Sequence, residues 1–276
     1  MVRSILEKLS ARLRPATGRD YYSAYTRRQE NHLWDWNEVP NARLHELIHE
    51  EVGGYLTPLG FEAVADGRWV RGVDAPIRQV FSMRREGRRT NARPRWGVSL
   101  DFVPHFSGAG IRWHRSNKSA QLDLWATSQD REMYVDCAFG EAPIRRDYRW
   151  VTTETVVEAQ KFWATCPTVG ELPRAVEYFI ADHAKYGKRF TTDQNPLALA
   201  MIFAKSGRLA EAQDHIAQML AYYNDPIATQ ERIKRLLNEA AQDPFPPPPP
   251  EPFWRRLSWD GGERTRLRRW QATVRM

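Results

Sequence analysis

Cysteine is scarce. Cys137 and Cys166 are the only two in 276 residues, far apart and without a paired spacing, which argues against a disulfide framework or a cysteine-rich zinc ribbon. Long apolar runs are missing too. No stretch approaches eighteen apolar residues, so no transmembrane helix is expected. The opening segment MVRSILEKLSARLR is basic but has neither a continuous apolar stretch nor a small-residue cleavage site, so it does not read as a secretory signal. Its Val2, Ile5, Leu6, Leu9 and Leu13 recur instead at the spacing of an amphipathic helix. These absences together predict a cytoplasmic chain.

Negative charge is in short supply. Lys and Arg number 41 against 34 Asp and Glu, a net charge of +7. The excess is unevenly placed: Arg84, Arg85, Arg88, Arg89, Arg93 and Arg95 crowd one stretch, and seven arginines lie between Arg255 and Arg275. Such clusters attract phosphates, anionic lipids or acidic protein surfaces. What is plentiful is core material, with 42% hydrophobic residues and aromatics gathered mostly before residue 190.

The periodicity predicts an α+β protein. Residues 1–40 read as an N-terminal arm. A helix follows from Asn41, its expected cap, to Leu56, with Leu44, Leu47, Ile48, Val52, Tyr55 and Leu56 at helical spacing. Pro58 and Gly60 stop it. Short strands are expected at 61–64, 69–70 and 77–83, then an arginine-rich loop over 84–95 at the sheet edge. Trp96, Val98, Leu100 and Phe102 alternate with Gly97, Ser99 and Asp101, the signature of a half-buried strand. Ile111 and Trp113, Leu122 and Leu124, and Met133 to Phe139 continue what reads as an antiparallel meander, covered on one face by helices. Residues 41–150 therefore form a helix plus sheet, and 151–243 a helical region packed on it. That region has helices at 154–163, 169–186 and 227–241. The stretch 195–226 resembles a single tetratricopeptide-type hairpin turning at Gly207. Prolines 244 and 246–250 predict a polyproline linker over 244–252, and 253–276 a basic tail carrying Trp254, Trp259 and Trp270.

The helix ending in Leu59-Gly60-Phe61, the Trp69 strand, the Gln79 strand and the segment FWATCPTVGELPRAVEYF (162–179) resemble the bacterial family catalogued as domain of unknown function 4304, over roughly 41–185. The resemblance implies an α+β fold and brings no catalytic residues with it.

Three constellations carry candidate chemistry. His45-Glu46-Leu47-Ile48-His49 matches HExxH, in which two imidazoles one helical turn apart hold Zn²⁺ and the glutamate acts as general base. Glu239 is the would-be third ligand. Against this, Glu50 and Glu51 follow where an apolar flank is usual, and both histidines fall at the edge of the apolar stripe, where boundary residues belong. Asp101, Asp123 and Asp136 would suit Mg²⁺ if clustered, but strand positions opposite Arg78 and Arg112 predict ion pairs instead. His105 and His114 read as lone surface histidines. The basic clusters form the third constellation: Arg84, Arg85, Arg88 and Arg89 in one, and Arg255, Arg256, Arg268, Arg269 and Trp270 in the other. They suit a protein partner or nucleic acid.

The leading expectation is a non-catalytic protein-binding module of a bacterial cytoplasm without a cofactor, with an immunity or defence-system accessory protein as the role that analogy suggests. The alternatives are a zinc-dependent hydrolase using His45, Glu46 and His49, and a nucleic-acid-binding protein.

Overall fold

A computed structural model describes residues 39–74, 76–85, 91–107, 110–128, 133–137, 140–177, 190–191, 197–223 and 227–246. The N-terminal arm before Val39, Arg88, Arg89, the prolines after Pro246 and the basic tail lie outside these residues.

The apolar stripe after Pro40 forms a rod made of four pieces. Helix α1 (Asn41–Leu47) passes into a π-helical stretch (Ile48–Gly53), one α-helical turn (Gly54–Leu56) and a 3₁₀ turn (Thr57–Leu59). The π-helix coincides with the pair Gly53 and Gly54, where the rod passes Trp69 so closely that a Cβ on Gly53 would sit 3.3 Å from its indole nitrogen. Gly60 ends the rod in the left-handed region at φ 83°. The expected cap moves by one residue: Pro40 occupies the N-cap, and the Asn41 side chain accepts a hydrogen bond from Arg85 Nη1 at 2.6 Å.

The sheet then builds as an antiparallel meander of β1 (Glu62–Ala65), β2 (Arg68–Asp74), β3 (Ile77–Arg85) and β4 (Asn91–Leu100). The meander breaks there. β5 (Pro104–Ser107) and β6 (Gly110–Trp113) pair only with each other, so Ile111 and Trp113 lie in a separate two-stranded ribbon. β7 (Leu124–Ala126) returns to β4, β8 (Val135–Asp136) pairs with the start of β4, and β9 (Phe190–Thr191) lies outside β7.

The largest departure is the arginine-rich stretch. Nine residues of β3 pair without interruption with nine of β4, from Ile77 opposite Leu100 to Arg85 opposite Ala92. Arg84, Arg85, Arg93 and Arg95 are therefore strand residues in the middle of the sheet order. β4 is also buried on both faces rather than one: Gly97, Val98, Ser99 and Leu100 are all buried. On one face the rod and helix α2 (Glu141–Ala164) close over Trp69, Phe81, Met83, Trp96 and Val98. On the other, the chain between Ser116 and Asp123 crosses back to cover Val70 and Val80 with Ala120, Leu122 and Trp125.

α2 begins thirteen residues before the first position expected in that helix. Pro143 sits in its first turn, where a missing N–H costs nothing. The helix therefore runs through residue 150. Val169–Glu171 and residues 172–177 are helical, and the rest of the expected 169–186 helix lies outside the described residues. The hairpin is present as α3 (Leu197–Lys205) and α4 (Leu209–Tyr223), with Gly207 at φ 80° between them, followed by α5 (Ile227–Gln242). One buried cluster joins these helices to the sheet. The first prolines do not lead away from it: Phe245, between Pro244 and Pro246, packs edge-on against Phe102 at 5.2 Å.

Rod and α2 are clasped by ions as well as by apolar contact. Arg43 donates twice to Glu141, at 3.0 and 2.7 Å, and buried Glu51 accepts from Arg145 at 2.7 Å and from Arg149. Arg43 and Arg145 hold the Glu141 carboxyl down at about 2, and Glu50 and Glu51 are likewise below their ordinary value, chiefly through Arg43 and Arg149 respectively. Carboxylates held low in the folded state stabilise it fully above the unfolded carboxylate range and lose that contribution as pH falls through their folded values. Acid unfolding followed by circular dichroism should therefore set in below about pH 5 and steepen toward 2. Glu51→Ala should cost about 2 kcal/mol in urea unfolding at pH 7 and flatten that acid limb. Gly97 meets the β7 backbone so closely that a Cβ would lie 2.7 Å from Trp125 Cα. Gly97→Ala should accordingly destabilise by about 2 kcal/mol in the same assay.

Candidate functional site

Strand alternation sorts the arginines by face. On β3, Ile77, Gln79, Phe81, Met83 and Arg85 point to the rod and α2, whereas Arg78, Val80, Ser82 and Arg84 point the other way. The register carries this across the sheet. Arg68 stands opposite Ser82 and Ser82 opposite Arg95, and one step along, Arg84 stands opposite Arg93. Four arginines from three adjacent strands thus share one face in two rows. Strand spacing and rise make the patch roughly 10 Å by 7 Å.

The four are held differently. Arg95 lies over the Trp125 ring at 4.9 Å, and Arg93 over Tyr134 at 5.5 Å, so each guanidinium is fixed on an aromatic plane. Arg84 is exposed, and its stem runs beside Gly67 on the β1–β2 turn, toward Arg68. Gly67 itself needs φ 61°, and its position abuts the Met83 carbonyl, which keeps the turn tight. Arg68 is half-buried, and its Nε has no hydrogen-bond partner. Burial, and then the charge on Arg84, press its guanidinium below the ordinary range. Among the described residues no ion pair joins Arg68, Arg84 or Arg93 to a carboxylate. Asp136 lies on the same face beyond Arg93, opposite Asn91.

Arg85 belongs to the other face. There it lines an open groove of about 570 Å³ with Asn41, His45, Asp66, Met83 and Arg84. The first basic cluster is therefore divided: Arg84 stands on the arginine face and also borders the groove, Arg85 lies in the groove alone, and Arg88, Arg89, Arg255, Arg256, Arg268, Arg269 and Trp270 lie outside the described residues.

Of the HExxH segment, His45 and Ile48 line that groove. Both imidazoles are about half exposed, as boundary positions of the rod. His45 Nδ1 lies 2.6 Å from Asp66 Oδ2, and His49 Nε2 3.9 Å from the other oxygen of that carboxylate, with its ring tilted against Trp69 at 5.7 Å. The His45–Asp66 contact is a hydrogen bond made through Nδ1. Glu46 is tied to Arg43 at 2.6 Å, and Glu239 sits on α5 beside Arg235. Among the described residues no group of three or more His, Cys, Asp or Glu is arranged to hold a metal ion.

The aspartates do not cluster. Asp101 pairs with Arg78, as the sequence predicts, but the pair is nearly buried rather than solvated. Asp123 is fully buried, accepting from the Leu100 N–H at 2.7 Å and contacting His105 Nε2 at 2.8 Å. His105 is thus not a lone surface histidine. His114 meets its ring edge-on at 4.3 Å, and burial, followed by the His105 charge, keeps His114 below the ordinary imidazole value. Together they pin the β5–β6 ribbon to the main sheet.

Comparison of the chain with family models, with curated proteins and with solved structures finds no match. The resemblance over residues 41–185 rests on its quoted motifs alone, and the functional reading rests on the geometry. Among the described residues, no helix is long and apolar enough to cross a membrane.

Arg68 is the residue that sequence reasoning missed. It lies outside both clusters and joins the others only through the β2–β3 pairing. The signal available was the Asp66-Gly67 turn, which starts β2 at Arg68. Metal analysis checks the rim directly. Purified protein dialysed against zinc should retain less than about a tenth of an equivalent, unchanged by His45→Ala/His49→Ala.

Proposed function

We propose that this chain is a non-catalytic binding module that docks an acidic surface of a partner protein on its arginine face. The observation that carries the reading is the pair of rows, Arg68 and Arg95 with Arg84 and Arg93, fixed on three hydrogen-bonded strands, with no carboxylate among the described residues paired to Arg68, Arg84 or Arg93. Cations on a rigid sheet lose little conformational entropy when they are paired, which favours their use in recognition over mere solubility. The diversion of Glu46 to Arg43 weighs against hydrolysis by the HExxH segment.

Nucleic-acid binding is the second reading, supported by the Arg93–Tyr134 and Arg95–Trp125 stacks. It is the weaker one, because Trp125 is nearly buried and its ring is already covered by Arg95.

Charge reversal tests the docking reading. Full-length protein should retain a partner protein in stoichiometric amount from native lysate, and Arg84→Glu/Arg93→Glu should weaken that retention at least about tenfold while leaving the melting curve unchanged. Equal retention by the variant would reject the arginine face as the docking site. A labelled single-stranded oligonucleotide, bound in a strongly salt-dependent way and more tightly than any protein partner, would move the assignment to the second reading.

A further inference from the structure

The four arginines are not equivalent. Arg93 and Arg95 lean outward onto the rings of Tyr134 and Trp125. Arg84 has its stem beside Gly67, the residue before Arg68. The register sets Arg68 opposite Ser82, two residues from Arg84 on the same face, so these two arginines are diagonal neighbours, one exposed and one half-buried. The nearest carboxylate on the adjoining turn, Asp66, is engaged by His45 on the opposite face. The Arg68 Nε is shielded from solvent and has no acceptor. A buried donor without a partner costs free energy that an incoming acceptor recovers.

From this arrangement we infer that Arg68 and Arg84 form a subsite for a phosphate monoester, carried as a phosphorylated side chain by the docked partner. The inference rests on the docking reading above and specifies its chemistry. A carboxylate brings one negative charge and two oxygens, enough for one guanidinium fork. A monoester brings between one and a half and two charges at neutral pH and three acceptor oxygens, so a single group can satisfy both arginines and the orphaned Nε. The patch is also too small for a polymer track. At roughly 10 Å by 7 Å, and closed on one side by the covered cluster of Val70, Val80 and Leu122, it accommodates one dianion with flanking acidic groups near Arg93 and Arg95.

The test follows the arginine Nε–H resonances of the full-length protein during titration. The probes are inorganic phosphate, a short phosphoserine peptide, its glutamate counterpart, and a single-stranded oligonucleotide without terminal phosphates. The expected result is a saturable shift of the Arg68 and Arg84 signals with phosphate and with the phosphoserine peptide. The glutamate peptide should bind at least about tenfold more weakly, since it lacks the second charge and third oxygen. Arg84→Gln, at an exposed position, should abolish the preference, and Arg68→Lys should reduce it even if it also lowers stability. The inference is overturned by an equal shift in chloride of matched ionic strength, by equal affinity for the glutamate peptide, or by tighter binding of the oligonucleotide. Phosphatase treatment of the lysate separates the two claims. Loss of partner retention supports the subsite. Undiminished retention that still falls on charge reversal rejects the subsite and leaves the docking reading standing. Saturable phosphate binding without any retained partner does the reverse.

Discussion

Everything proposed for this chain depends on the pairing register of β2, β3 and β4. The side-chain period of a strand is two, so a slip of one residue between β3 and β4 would send Arg84 into the space beneath the rod and turn Phe81 and Met83 outward. That slip is resisted by packing on one face and by backbone contact on the other. Trp69, Phe81, Met83, Trp96 and Val98 interlock under the rod and α2, and Gly97 admits β7 only because it has no side chain. The Trp163 indole adds a buried hydrogen bond to the Gly97 carbonyl at 2.7 Å, tying α2 to the same point. The core therefore fixes the register, and the register places the arginines.

How much of this was legible in the sequence varies with the kind of signal. The rod announced itself through Leu44, Leu47, Ile48, Val52 and Leu56, and the hairpin through Gly207, because both follow local rules of spacing and punctuation. The strand from Trp96 was equally plain, although the second covered face was not. Gly97 and Ser99 look like the polar half of an alternation, and nothing local says that residues 116–123 will return to bury them. The arginine stretch was misread as a loop for the same reason. Charge density argues for solvent, but it does not distinguish an exposed loop from the exposed face of a paired strand.

The candidate sites divide along the same line. HExxH is a local pattern, visible at once, and its side chains have partners within the fold: Glu46 meets Arg43 and His45 meets Asp66. The glutamates after His49, which looked merely like an unfavourable flank, turn out to belong to the clasp with Arg145 and Arg149 that joins rod to α2. The histidines that seemed isolated, His105 and His114, come together on buried Asp123 because β5 and β6 pair as a ribbon, and no spacing rule connects residues 105, 114 and 123. Local motifs were thus readable and mostly structural. The four-arginine face was assembled by tertiary register alone.

Cross-strand backbone NOEs in the folded full-length protein test the central claim most directly. The account predicts connectivities between Arg84 and Arg93, between Ser82 and Arg95, and between Ser82 and Arg68, which together place all four arginines on one face. Connectivities shifted by one residue, pairing Arg84 with Ala92 or Pro94, would scatter those side chains over both faces and contradict it.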